Sequence, residues 1–374
     1  MRFLHISDLH IGKRLCGYPL LDDQKDVLKQ VVQTVLSEAA DAVLISGDVY
    51  DKPNPSVQAM SLFSDFLSEL AGTGVKIFII GGNHDSADRI GYYAPIVRLN
   101  GVYIAHPFDG SVESVTLQDG FGKLRIFLLP FIKPIHVRSV GYTLADPDSF
   151  EEAMRVVLNG IDLQPDERNI LLCHQFITGG EMSGSEEKSV GGLDNIPSSV
   201  FSAFDYVALG HLHGAQNIGA NCRYSGTLFP YSFSECMQKK SLTIVELGEK
   251  GNVQVKEVPV SLPHKLQKIT DKYENLCRYT QSEDYVWLEL TDEVMPLDPL
   301  PALEQVFPHI LKLSLLKENG DTEYEYEELS ELRNKSIAEH MADFFKMMNG
   351  RDLTEKENKM LLSIYNQVAG EDSQ

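Results

Sequence analysis

Three times within the first 83 residues a short apolar run stops abruptly at a polar cluster: Phe3 to Ile6 before Ser7-Asp8, Ala42 to Ile45 before Ser46-Gly47-Asp48, and Ile77 to Ile80 before Gly81-Gly82-Asn83. Helix-length segments, Asp22 to Ala39 and Pro55 to Ala71, separate the runs, and the second opens on a proline, which a first helical turn tolerates. This pattern predicts β-α-β-α-β, with buried parallel strands and crossover helices. Ligands of such sheets bind in the crevice at the carboxyl ends of the strands. The polar residues that end each run are therefore the first candidates for chemistry.

At 374 residues the chain is long enough for more than one domain. Further strands are expected at Val102 to Ala105, Leu124 to Leu129, Ile170 to Cys173, Tyr206 to Leu209 and Leu242 to Val245, which carries a first domain over residues 1–259. A smaller α+β unit is expected over 260–320, from strands at Val286 to Leu290 and Ile310 to Leu316 with a helix at Pro301 to Phe307 between them. Residues 321–374 read as an amphipathic helical pair. Leu329, Leu332, Met341, Phe344, Phe345 and Met348 mark the first helix, with Gly350 as its stop. Thr354 and Glu357 have capping-box spacing at the start of the second, ahead of Met360, Leu361, Ile364, Tyr365 and Val368. The pair either closes a core or docks a partner, and its distance from the first domain favours docking.

Charge weighs against a nucleic-acid partner, because binding DNA draws on phosphate neutralisation by Lys and Arg while the net charge here is −21. Residues 321–374 hold 13 acidic and 6 basic side chains, so a surface that meets DNA is expected elsewhere. Five cysteines (Cys16, Cys173, Cys222, Cys236 and Cys277) form no CxxC pair, which argues against a disulfide framework and a structural zinc site. No stretch approaches the ~18 apolar residues of a membrane span. The opening MRFLHISDLH has no signal-peptide core, so a cytoplasmic address is expected.

Asp8-Leu9-His10 and His211-Leu212-His213 both use i, i+2 spacing, which in extended chain points two side chains to one side. Gly47-Asp48 and Gly82-Asn83-His84-Asp85 follow consecutive strands, and glycine ahead of each donor permits close backbone approach. His174 ends the Ile170 to Cys173 run, and Gly210 precedes His211. Asp8, His10, Asp48, Asn83, His174, His211 and His213 thus form seven candidate ligands, more than the four of a tetrahedral zinc site. The count favours two divalent ions. Imidazole, carboxylate and amide together suit Mn, Fe or Zn better than Mg. Paired ions are the arrangement used for in-line displacement at phosphorus.

The series DLH, GDVYD, GNHD, CHQ and GHLH resembles the calcineurin-like metallophosphoesterase family, in order, over residues 1 to about 250. The resemblance implies an α/β fold, a metallophosphoesterase β-sandwich flanked by helices, followed here by a small capping domain. It also implies Asp8, His10, Asp48 and His213 around one Mn2+, and Asp48, Asn83, His174 and His211 around the other. His84 becomes the group that faces the leaving oxygen, as transition-state stabiliser or proton donor. Asp51 stands where related phosphatases carry an aspartate paired with that histidine, which would favour the imidazolium. Phosphoprotein phosphatases read GDxxDRG and GNHE; here Lys52-Pro53 replaces the phosphate-gripping Arg, so diesters are favoured over monoesters. The runs LHISDLHIGKRL, ALGHLHGAQNIGANCRYSGTLFPYSFSE and VWLEL are similar to DNA nuclease subunits within the family. That likeness implies a coiled-coil ATPase partner, a homodimer within a heterotetramer, and cleavage of double-stranded ends and hairpins in DNA recombination, replication and repair. The competing reading is a phosphodiesterase for cyclic nucleotides or other small substrates.

Remaining candidates are weaker. His5 reads as a core or supporting histidine, and His106, His136, His264, His309 and His340 match no motif. Tyr92-Tyr93 is expected to pack under its loop rather than stack on a base. Lys13, Arg14, Lys52 and Arg89 lie close in sequence to the candidate ligands and could form a local basic rim for DNA, since screening beyond ~8–10 Å mutes the acidic tail.

Overall fold

The computed structural model describes residues 1–164, 166–186, 195–296, 299–316, 322–325, 342, 345–346 and 351–361. The chain divides into two compact units, one of Met1–Leu15 and Pro19–Gln267, the other of Cys16–Tyr18 and Lys268–Gln374.

The chain opens with β1 (Arg2–Ile6), the short strands β2 (Arg14–Leu15) and β3 (Tyr18–Pro19), α1 (Leu21–Ser37), β4 (Ala42–Ser46), α2 (Val57–Gly72) and β5 (Lys76–Ile80). Short helices α3 (Ala87–Gly91) and α4 (Ala94–Val97) lead to β6 (Val102–Ile104). A second run holds β7 (Glu113–Asp119), β8 (Gly122–Leu129), α5 (Pro134–Ser139), α6 (Phe150–Asn159), β9 (Arg168–His174), β10 (Tyr206–Gly210), β11 (Gln216–Ile218) and β12 (Cys222–Tyr224). Strands β13 (Ser241–Leu247) and β14 (Val253–Pro259) return to the first sheet.

Two six-stranded sheets result, in the orders β14-β13-β1-β4-β5-β6 and β11-β12-β10-β9-β8-β7. Period-two alternation decides what lies between them. Phe3, Leu44, Phe78 and Ile80 of the first sheet share one core with Leu124, Ile126, Leu128, Ile170, Leu172 and Ala208 of the second. The intervening residues of the second sheet, Phe127, Leu129, Leu171, Val207 and Leu209, bury instead with Ala153, Met154 and Val157 of α6. Helices α1 and α2 bury Val27, Val31 and Val35, and Phe63, Phe66 and Leu70. This is the expected sandwich with helical flanks. Helix α2 starts two residues later than expected, because Ser56 Oγ accepts the Ala59 N–H at 3.2 Å and caps it, leaving Pro55 ahead of the cap.

His5 faces the inter-sheet core, its Nδ1 2.9 Å from Tyr206 Oη. Burial, followed by the charge of Arg223, lowers its pKa from 6.5 to about 3. The unfolded chain therefore binds a proton that the folded chain refuses, and stability is lost as pH falls from 6.5 toward 3, by about 1.4 kcal/mol per pH unit from this group. His5→Gln should flatten that part of the acid limb in urea denaturation. Equal slopes in variant and wild type would remove His5 as its source.

The second unit holds a four-stranded sheet, β15-β16-β17-β18, built from β15 (Leu266–Asp271), β16 (Tyr285–Leu290), β17 (Ile310–Leu315) and β18 (Thr322–Glu325). Leu276 of α7 (Tyr273–Leu276) and Leu300 and Leu303 of α8 (Leu300–Leu303) cover its apolar face, Val286, Leu288, Leu290, Leu313 and Leu315. Helix α8 ends sooner than expected, though Val306 and Phe307 still bury in that core. Tyr18, Tyr285 and His309 pack ring against ring. The Thr354–Glu357 capping box forms, with Thr354 N–H to Glu357 Oε2 at 2.9 Å and Glu357 N–H to Thr354 Oγ1 at 3.4 Å, and opens a helix over 355–361. Leu329, Leu332, Met341, Phe344, Met348, Gly350, Ile364, Tyr365, Val368 and His340 lie outside the described residues.

Candidate metal centre

All seven candidate donors stand at the carboxyl ends of parallel strands. Asp8 and His10 follow β1, Asp48 follows β4 and Asn83 follows β5; His174 ends β9, and His211 and His213 follow β10. Both sheets therefore contribute to one crevice, where six of the donors are buried and Asn83 is half-buried. Asp8, His10 and His213 each offer a donor atom within 4.8 Å of the others, as do Asp8, Asp48 and His174, and His10, Asp48 and His84.

The backbone is bent to achieve this. Asp8, His10, Asp48 and His211 have φ of 53°, 41°, 49° and 109°, in the left-handed region that non-glycine residues avoid. Such strain, about 1–3 kcal/mol per residue, persists only where surrounding structure enforces it. Glycines let the loops approach: a Cβ on Gly82 would lie 2.1 Å from Asp48 Oδ1, and one on Gly47, at φ 91°, 2.4 Å from His174 Nδ1. Gly82→Ala should displace Asp48 and abolish the rise in melting temperature expected when a divalent ion is added to the wild-type chain. A wild-type rise in the variant would show that the loop yields without cost to the site.

Hydrogen bonds turn the free donor atoms of Asp48 and His174 inward. Asp48 Oδ1 accepts the His84 N–H at 2.8 Å, which leaves Oδ2 3.3 Å from His174 Nε2 and 3.7 Å from His10 Nε2. His174 Nδ1–H donates to the Ser46 carbonyl at 2.8 Å, so its Nε2 keeps a lone pair for the crevice. Asn83 Oδ1 lies 3.0 Å from His174 Nε2 and 3.1 Å from His211 Nδ1. His10 Nε2 and His213 Nε2 stand 3.2 Å apart. The Asp8 carboxylate receives the His211 N–H on both oxygens, at 3.0 and 3.1 Å.

Electrostatics fit a cation among these groups. Burial and then the neighbouring Asp48 raise the Asp8 pKa to about 6, moderated by His174 and His213. Burial opposes the charged form of Asp48 too, but His174 and His10 outweigh it and hold that carboxyl well below the usual range. Burial drives the pKa of His10 and His211 down. Burial opposes the charged form of His174 as well, but the neighbouring Asp48 outweighs it and raises its pKa to about 9. Two buried carboxylates among four imidazoles and an amide oxygen are a donor set for divalent metal.

His84 is half-buried beside His10, ring centroids 4.8 Å apart and edge-on. Its Nδ1–H donates to the backbone carbonyl of Asp51 at 2.9 Å, leaving Nε2 for another partner. The Asp51 carboxylate is therefore not the partner of His84. It pairs with Lys13 Nζ at 2.7 Å, because the turn after Asp48 presents the carbonyl of residue 51 to the imidazole and its side chain to the loop after β1. Asp85 ties two loops together by accepting the N–H groups of Val49, Tyr50 and Gly82 at 2.9–3.0 Å.

Residues 1–215, more than half of the chain, match the family model described as Calcineurin-like phosphoesterase. The chain belongs to this family. Residues 253–349 match a second model, the Type 5 capsule protein repressor C-terminal domain. An SbcD-type component of the nuclease SbcCD from Staphylococcus epidermidis is 29% identical over 375 residues, covering 97% of this chain and 98% of its own. The corresponding nuclease component from Staphylococcus saprophyticus is 28% identical over 386 residues, covering 100% of both. A dimetal phosphatase from Danio rerio aligns at a TM-score of 0.39 with 12% identity, over 70% of this chain and 99% of that one, an overlap too loose to add to the family assignment.

This phosphoesterase, a hydrolase dependent on divalent metal, also uses residues that motif reading did not single out. Gln24 Nε2 donates to the His10 carbonyl at 2.9 Å and its Oε1 accepts the Gly12 N–H at 3.0 Å, while Tyr231 Oη donates to the Leu9 carbonyl; together they hold the Asp8–His10 loop. Glu235, Lys240 and Ser185 surround the far side of His213. They are scattered from residue 24 to residue 240, so no spacing along the chain could have joined them. Of the proposed basic rim, Arg14, Lys52 and Arg89 are exposed, whereas Lys13 is committed to Asp51. Tyr92 and Tyr93 do not pack under their loop. They are 74% and 60% exposed and meet each other edge-on, because α3 and α4 are too short to bury a face. Among the described residues no helix is long and apolar enough to cross a membrane, and all five cysteines are free.

Proposed function

We propose that this chain is a Mn2+-dependent DNA nuclease subunit, acting as a double-strand exonuclease and hairpin endonuclease on phosphodiesters with two metal ions. The observation that carries the reading is the single crevice formed by Asp8, His10, Asp48, Asn83, His174, His211 and His213. One ion would take Asp8, His10, Asp48 and His213, the other Asp48, Asn83, His174 and His211. Ions bound there would neutralise charge developing on the phosphoryl oxygens and activate a water for in-line attack. The protein's own work is positional. Asp48 Oδ2 stands between the two imidazole groups, and the strained β1 and β4 loops aim their donors inward. His84, fixed through the Asp51 carbonyl, presents Nε2 as a proton donor to the departing sugar oxygen.

Substrate and partners follow the full-length likeness to the two staphylococcal nuclease components. On that ground the chain works in the cytoplasm with an SbcC-type coiled-coil ATPase, in DNA recombination, replication and repair, with the second domain as a cap and the tail over 321–374 as the docking element. A homodimer within a heterotetramer agrees with the exposed apolar side chains Tyr92, Tyr93, Ile96 and Leu99, on a segment in which α3 and α4 bury nothing.

Incubation of the purified chain with a labelled DNA hairpin and Mn2+ tests the reading, with bis(p-nitrophenyl) phosphate as a small diester control. Neutralising Lys13, Arg14, Lys52 and Arg89 together should weaken hairpin cleavage about tenfold or more, as expected when phosphate contacts are lost, and spare the small diester. Turnover of the small diester without any cleavage of DNA would favour a small-substrate phosphodiesterase.

A further inference from the structure

The two ring nitrogens of His213 have opposite surroundings. Nε2 lies 3.2 Å from His10 Nε2, within the donor group that includes Asp8. Nδ1 lies 2.7 Å from Ser185 Oγ and 3.1 Å from Glu235 Oε1, and the Ser185 hydroxyl donates to that same carboxylate oxygen. Two hydrogen-bonding solutions are thus available. In one, Nδ1–H donates to Glu235 and Nε2 keeps its lone pair for a cation. In the other, the Ser185 hydroxyl donates to Nδ1, the ring proton moves to Nε2, and ligation there is blocked.

What selects between them lies one step further out. Glu235 is 0% exposed, and its Oε2 accepts from Lys240 Nζ at 2.5 Å and from Thr227 Oγ1 at 3.2 Å. Lys240 Nζ also donates to Gln238 Oε1 at 2.7 Å and to the His213 carbonyl at 3.2 Å. An ammonium only donates and a carboxylate only accepts, so Glu235 Oε1 is left as an acceptor for both the Ser185 hydroxyl and His213 Nδ1–H. A buried ion pair is a poor device for stability, since apolar replacements often do as well. Orienting a metal-donor imidazole is a use for it, because partners of that kind fix the tautomer and ring direction.

We infer that Glu235, held by Lys240, is a positioning residue that sets the tautomer of His213 and thereby the strength of cation binding at the Asp8–His10–His213 end of the crevice. The inference rests on the metal reading above and deepens it by assigning the regulation of one ion's affinity to residues outside the donor motifs.

The test uses the full chain freed of metal by chelation, Mn2+ titration by calorimetry, and two-bond 1H–15N correlation to read histidine tautomers, with His213 assigned by its loss in H213Q. The wild type should show His213 protonated on Nδ1. In E235Q the amide turns its oxygen to Lys240 and its NH2 to His213, so the ring proton should shift to Nε2 and Mn2+ affinity at one site should fall about 10- to 100-fold. Adding K240M frees the amide oxygen to accept from Nδ1, and the E235Q/K240M chain should recover most of the loss. S185A should keep the wild-type tautomer and affinity. Nε2 protonation in the wild type, wild-type affinity in a folded E235Q, no recovery in the double variant, or a tenfold loss in S185A would each overturn the assignment. If E235Q does not fold by circular dichroism, the wild-type tautomer and S185A decide. A wild type that binds no Mn2+ would instead sink the metal reading, and the tautomer measurement would still report on Glu235.

Discussion

Asp48→Ala is expected to slow phosphodiester hydrolysis by at least about 10³-fold, equivalent to about 4 kcal/mol of transition-state stabilisation. No other single substitution should remove as much metal affinity. Asp48 Oδ2 is the oxygen that faces both His174 Nε2, at 3.3 Å, and His10 Nε2, at 3.7 Å, and Asp48 belongs to two of the three donor groups. Its loss also releases the His84 N–H that Oδ1 accepts at 2.8 Å, so the loop carrying Asn83 and His84 loses an anchor. Metal binding should fall with activity, for both ions, in calorimetry. A variant within tenfold of wild type on bis(p-nitrophenyl) phosphate would refute the assignment of the whole centre.

His84→Ala should lower kcat by about 10²- to 10⁴-fold, the range of a positioned general acid or base. Mn2+ affinity should stay within about threefold, since this imidazole is held by the Asp51 carbonyl rather than by the donor set. The loss should be larger on DNA than on a diester with a p-nitrophenolate leaving group, because a poor leaving group needs its proton more. Since His84 also lies within 4.8 Å of donor atoms on His10 and Asp48, a different outcome is well defined. A tenfold loss of Mn2+ affinity would make His84 a ligand and not the acid.

Asp51 shows how a motif can mislead about a partner. Its place after Asp48 suggested a carboxylate–imidazole pair, yet the fold gives His84 the backbone carbonyl of that residue and gives its carboxylate to Lys13. Tyr92-Tyr93 misled for a related reason. Two adjacent aromatics ordinarily bury, but burial needs an element long enough to own an apolar face, and α3 and α4 span only five and four residues. Strand β7 and helix α6 escaped notice because alternation in Glu113–Asp119 is weak and no donor residue ends either element.

The seven candidate donors, by contrast, were legible at once. Each follows or ends an apolar run, and four of the five runs have a glycine or serine where the backbone must turn or come close, features carried by neighbours within a few residues. Strand, turn and donor are local properties, and the divalent-metal chemistry of the crevice follows from the donor types alone. The supports of the site obey no such rule. Glu235 reaches His213 across 22 positions, Gln24 meets Tyr231 across 207, and His5 finds Tyr206 across 201. Hydrogen bonds of that span exist only after both sheets have closed on a common core, because the side chains involved are set by which strands become neighbours and not by any pattern along the chain. Chain-local chemistry nominated the candidate donors. Sheet packing alone decided how each of them is aimed.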